Sequence, residues 1–122
     1  MHDEEMTHIE AVGNEIRIEY ANIGSQNPQR PCKKVTVTYF IDRTEGFLLE
    51  IRRLADDKME NVLRTAEGKE LFALNDWHML MDSFSLHLFG QMTLHFQINK
   101  DGLYRNADLT FTPTSIRYEY EE

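Results

Sequence analysis

The chain has 122 residues, 41% of them hydrophobic and 28% charged, with a formal net charge of −8. This length suits one domain over residues 1–122, and seven Phe, five Tyr and one Trp favour a packed core over disorder. The acidity works against nucleic acid and anionic membranes, whose phosphates need cations, and favours a basic protein partner. Acidity also keeps a protein dispersed with no partner at all.

Taken in chain order, the acidic opening "MHDEEMTHIE" leads a segment, residues 1–12, expected to be flexible. It lacks the basic and apolar regions of a secretory signal, and no apolar run reaches membrane-span length, so a cytoplasmic location is expected. Residues 14–20, "NEIRIEY", alternate Ile16, Ile18 and Tyr20 against Glu15, Arg17 and Glu19, the period of a half-buried strand. "GSQNPQRPC" follows as a proline-containing loop. "KVTVTYFI" then resumes alternation through Val35, Val37, Tyr39 and Ile41.

After a turn at 42–46, Phe47, Leu49 and Ile51 suggest a strand to about residue 53. The set Leu48, Ile51, Ala55, Met59 and Val62 also recurs at helical spacing, so a short helix over residues 55–65 is predicted, stopped by Gly68. Residues 69–84 are the strongest helix candidate, with Leu71, Leu74, Trp77 or His78, Met81 and Phe84 on one stripe. Residues 92–99 alternate as a clear strand, and "NKDG" marks a hairpin turn. Two further runs, "ADLTFT" and "SIRYEYEE", flank Pro113, with Ile116, Tyr118 and Tyr120 expected to face inward. The expected fold is α+β: a mainly antiparallel sheet of about five to seven strands with one or two helices packed on one face.

Candidate chemistry centres on histidines. His87 and His95 would face each other if Gly90 lay in a tight turn, with His78 nearby, and three imidazoles can hold zinc or iron. Neither a helical H-E-x-x-H nor paired cysteines occurs, so neither metal nor cofactor is expected. Trp77, His78, His87 and His95 are retained as pocket candidates. Asp82 could pair with His78 one helical turn away, whereas Asp76 could not. Cys32, the single cysteine, cannot form an internal disulfide, and its neighbours Arg30, Lys33 and Lys34 read best as a solvated loop.

Phosphate-binding glycine loops and nucleophile motifs are missing, which turns the reading away from catalysis. The expected function is a small acidic non-enzymatic protein-binding module, of inhibitor or immunity type, neutralising a basic partner such as a toxin. Asp3, Glu4, Glu5, Glu119, Glu121 and Glu122 would face that partner. The alternative is a small-molecule-binding or enzymatic domain whose pocket lies near Trp77, His78, His87 and His95. A third reading pairs "SIRYEY" at an open sheet edge, giving a homodimer or completing a partner's sheet.

Overall fold

A computed structural model describes residues 4–21, 34–42, 46–53, 58–65 and 69–121, with backbone alone described for Glu4, for 59–65 and for 69–70. The elements are β1 (Glu4–Val12), β2 (Glu15–Ala21), β3 (Lys34–Ile41), β4 (Phe47–Arg53), β5 (Met59–Thr65), α1 (Lys69–Phe72), β6 (His78–Leu86), β7 (Met92–Lys100), β8 (Leu103–Phe111) and β9 (Pro113–Glu121). The nine strands form one sheet in the order β5-β4-β8-β7-β6-β1-β2-β3-β9. Every pairing is antiparallel.

The α+β expectation is therefore overturned: the described chain is nearly all antiparallel sheet, without a packed helical layer. Three segments account for the difference. The predicted helix over 55–65 is replaced across 59–65 by β5, where Leu63 lies opposite Leu49 and Val62 opposite Glu50. A neighbouring strand outweighs the small helical bias of those residues. The predicted helix over 69–84 survives only as α1 and the 3₁₀ turn Ala73–Asp76. From His78 onward the chain is strand, and a bulge between Met81 and Ser83 shifts its phase. Met79, Met81, Phe84 and Leu86 then share the core-facing side, opposite Ile98, Phe96, Leu94 and Met92. One inserted residue makes a strand resemble a helix in its apolar spacing.

The same device hides β1. A bulge between Met6 and His8 puts Met6 and Ile9 into the core, three positions apart, so residues 4–12 of the segment expected to be flexible form a strand of the sheet, while residues 1–3 lie outside the described residues. By contrast, β2, β3 and β7 follow the simple alternation predicted for them. Asp101 and Gly102 take positive φ values of 52° and 81°, as the turn after "NK" requires.

The core forms because the sheet curls. Tyr39 on β3 meets Phe111 on β8, with four strands between them in the sheet. Tyr20, Phe96, Ile9, Ile16, Ile18, Leu49 and Leu109 are fully buried within that curl. Asn75, in the 3₁₀ turn, supports it as a surrogate strand partner. Its Oδ1 accepts from the Ile9 amide at 2.8 Å, and its Nδ2 donates to the Ile9 carbonyl at 2.8 Å. β1 pairs with β6 only through Glu4, Glu5 and Met6, so Asn75 serves the backbone beyond that pairing.

Candidate functional site

The curl ends abruptly at β9. Three rows of side chains run across β2, β3 and β9 on the core-facing side: Ile16–Tyr39–Ile116, Ile18–Val37–Tyr118 and Tyr20–Val35–Tyr120. The β2 and β3 members are 0–4% exposed, while Ile116, Tyr118 and Tyr120 are 38%, 51% and 67% exposed. The sheet thus finishes with an apolar stripe in water. β9 has β3 as its only strand partner among the described residues. As an edge strand it leaves alternate backbone donors and acceptors directed away from the sheet. Pro113, unable to donate, opens the strand where a register shift between Phe40 and Ile41 relaxes the ladder.

The other face of β9 is charged. Glu119 holds Arg117 at 3.2 Å, and Arg117 stands over the Phe40 ring at 5.4 Å. Lys34 lies between Glu121 at 3.2 Å and Glu19 at 3.3 Å, contacts that raise its pKa, the Glu121 hydrogen bond most. Arg17 is likewise raised, first through its hydrogen bond to Glu15. A groove of about 380 Å³ runs over this face, bounded by Glu10, Arg17, Glu19, Arg117 and Glu119.

The acidic segments of the two termini share one end of the sheet. Glu5 lies opposite Ala21, Ala21 opposite Lys34, and Lys34 opposite Glu121. Three strand spacings, about 14 Å, separate Glu5 from Glu121. Glu4 belongs to the same strand as Glu5, while Asp3 and Glu122 lie outside the described residues, as do Arg30, Cys32 and Lys33.

The four pocket candidates are not brought together. Trp77 follows the 3₁₀ turn and packs, half-buried, against the core. His78 begins β6, where it meets Asn99 at 3.2 Å and Glu5 at 3.5 Å. The helical pairing of His78 with Asp82 does not arise, because both residues are on a strand. His87 lies at the far end of β6, nine residues and roughly 25–30 Å from His78. His87 and His95 do not face each other. The bulge places His95 opposite Ser83, while His87 lies beyond the Leu86–Met92 pair.

Each of those two imidazoles instead joins its own polar chain on the outward face. His87 Nε2 meets Thr93 Oγ1 at 3.0 Å, and Thr93 meets Thr110 at 2.9 Å. His95 Nε2 meets Ser85 Oγ at 2.9 Å, and its Nδ1 meets Asp108 Oδ1 at 2.7 Å. Asp108 is held through its other oxygen by Arg52, which also reaches Glu50 at 3.2 Å. An open groove of about 420 Å³ exposes Ser85, His95 and Asp108 together with Ser83, Asn106 and Arg52. Among the described residues no three His, Cys, Asp or Glu side chains converge to hold a metal.

Sequence reasoning missed Ser85, Asp108 and Arg52. Asp108 carried a signal: five steps back from Lys100 and five forward from Leu103 pair His95 with Asp108 across the predicted turn. Ser85 carried none, because its approach to His95 depends on the bulge. Comparison of the chain with family models, curated proteins and solved structures returned no match. No helix among the described residues is long and apolar enough to cross a membrane.

Proposed function

We propose that the protein is a cytoplasmic, acidic protein-binding module that offers the β9 edge to a basic partner. The carrying observation is the exposure of Ile116, Tyr118 and Tyr120 on rows whose other members are buried. An extended segment laid against β9 would gain main-chain hydrogen bonds and cover that apolar stripe. The net charge of −8 supports a cationic partner by speeding encounter. Glu5, Glu119 and Glu121, at one end of the sheet, would supply local attraction. An inhibitor or immunity role toward a basic toxin agrees with these features, since steric cover of a cationic surface needs no chemistry from the cover.

The test is stoichiometric capture from source cells at low and high salt, using wild type and the double variant Ile116→Lys, Tyr118→Lys. A basic protein retained by wild type, released by salt and not retained by the variant supports the reading. Equal retention by both chains, or no stoichiometric partner, contradicts it. Light scattering over a range of concentrations separates a second copy on the same edge from a foreign partner.

A further inference from the structure

We infer that Ser85, His95 and Asp108 form a hydrolytic site for activated carboxylic esters, separate from the β9 edge. The atoms are joined in the order such chemistry requires. An ionised Asp108 can only accept, so the proton of its 2.7 Å contact belongs to His95 Nδ1. Nε2 is then left as an acceptor, and Ser85 Oγ–H donates to it at 2.9 Å. Nucleophile, base and orienting carboxylate are recognised by this geometry and not by their order in the chain.

The surroundings suit the task. His95 and Asp108 keep 33% and 21% of their side-chain surface exposed, so the ring is accessible while the carboxylate is largely covered. Arg52 fixes the second oxygen of Asp108, and Glu50 in turn holds Arg52. That chain restrains the carboxylate's orientation. Ser85 opens onto the groove, where Ser83, Asn106 and Arg52 also line the wall.

The backbone limits the substrate class. β7 is an interior strand whose main-chain groups are engaged by β6 on one side and β8 on the other. Among the described residues, no helix N-terminus beside His95 supplies a pair of free amides for an oxyanion. Esters with a good leaving group, which need least help at that point, are the class this site takes.

The reaction closes on itself. Ser85 Oγ attacks the carbonyl carbon while His95 Nε2 takes the hydroxyl proton. The bond to the leaving alkoxide breaks, and the imidazolium returns that proton to it, leaving an acyl-serine. Water then attacks the acyl carbon as His95 takes its proton; the acyl carbon–Oγ bond breaks, the imidazolium returns that proton to Ser85 Oγ, and the carboxylic acid departs. Asp108 acts as a positioning residue by holding the ring's tautomer.

The experiment uses the full chain with a fluorophosphonate probe, mapped by mass spectrometry, alongside p-nitrophenyl acetate turnover. The probe bonds phosphorus to Ser85 Oγ and expels fluoride. A single adduct on Ser85 is expected, absent in Ser85→Ala, formed at least 10-fold more slowly in His95→Ala, with turnover falling in parallel. Nitrogen NMR should show His95 protonated at Nδ1 in wild type and redistributed toward Nε2 in Asp108→Asn. Ser85→Ala removes one small oxygen, and circular dichroism checks that its fold is kept. A wild-type chain that takes no adduct on Ser85, or one labelled equally fast without His95, overturns the proposal. So does a His95 tautomer that is unchanged in Asp108→Asn.

Discussion

Tyr39 and Phe111 meet edge to face, ring centroids 5.0 Å apart and planes inclined at 64°, although β3 and β8 have four strands between them. The contact joins the two halves of the curled sheet and leaves β9, the next strand after β3, outside the join. Aromatic pairs of this geometry add a modest increment to the area they bury. Phe111→Ala removes one partner and opens a cavity between the halves, so the expected loss is about 3–5 kcal/mol. Urea denaturation followed by tryptophan fluorescence measures it. A loss below about 1 kcal/mol would mean that the halves are held together elsewhere.

Asn75 offers a sharper test of how β1 is kept in place. Asn75→Ala leaves the amide and the carbonyl of Ile9 without the partners that Asn75 gives them. Each net hydrogen bond is worth about 1 kcal/mol, and an unsatisfied buried backbone group costs more. The expected destabilisation is about 2–4 kcal/mol, with faster hydrogen exchange at the Ile9 amide. Asn75→Asp keeps the acceptor and loses the donor, so exchange at Ile9 should stay slower than in the alanine variant.

Alkaline pH should weaken the fold through its buried phenols. Burial pushes Tyr39 from 10 up to about 12, and it raises Tyr20 well above the usual range. Between pH 10 and 12 the unfolded chain has released the Tyr39 proton while the native chain retains it. The native state then binds more protons, and stability falls as pH rises. The stabilising contribution is complete below pH 10. About 2–3 kcal/mol should be lost across that window through Tyr39 alone. Tyr39→Phe should shrink the loss, as urea midpoints from pH 8 to 12 would show. An unchanged alkaline slope in that variant would contradict the assignment.

The β9 stripe should contribute little to folding and much to association. Ile116→Lys with Tyr118→Lys alters exposed positions on an edge strand, where substitutions change stability by about 0.5 kcal/mol or less per site. Thermal melts should therefore nearly superimpose, while partner retention falls at least 10-fold. A large drop in melting temperature would make the stripe part of the core instead.

How much of this was legible in the sequence follows from strand regularity. β2, β3 and β7 alternate in sequence, and their buried apolar residues could be named in advance, whereas the buried Thr38 and Thr93 were expected on the polar face. β1 and β6 could not be read this way, because each carries a bulge that converts period-two spacing into an apparent helical spacing. β5 was hidden because a helical spacing happened to run on from β4 into it. Ile116, Tyr118 and Tyr120 were expected to be inward; they share the core-facing side but are exposed, because β9 ends the sheet, which no local pattern encodes. His95 stood out as a polar residue in an apolar run. Its partners lie ten and thirteen residues away and meet it only through strand register.

The most direct measurement is hydrogen exchange on the purified complex with whatever basic protein the wild-type chain retains. Slowed exchange confined to the β9 amides from Thr114 to Glu121, absent when the Ile116→Lys, Tyr118→Lys chain is mixed with the same protein, is the expected result. Protection elsewhere on the sheet with β9 unchanged would contradict the edge as the docking surface.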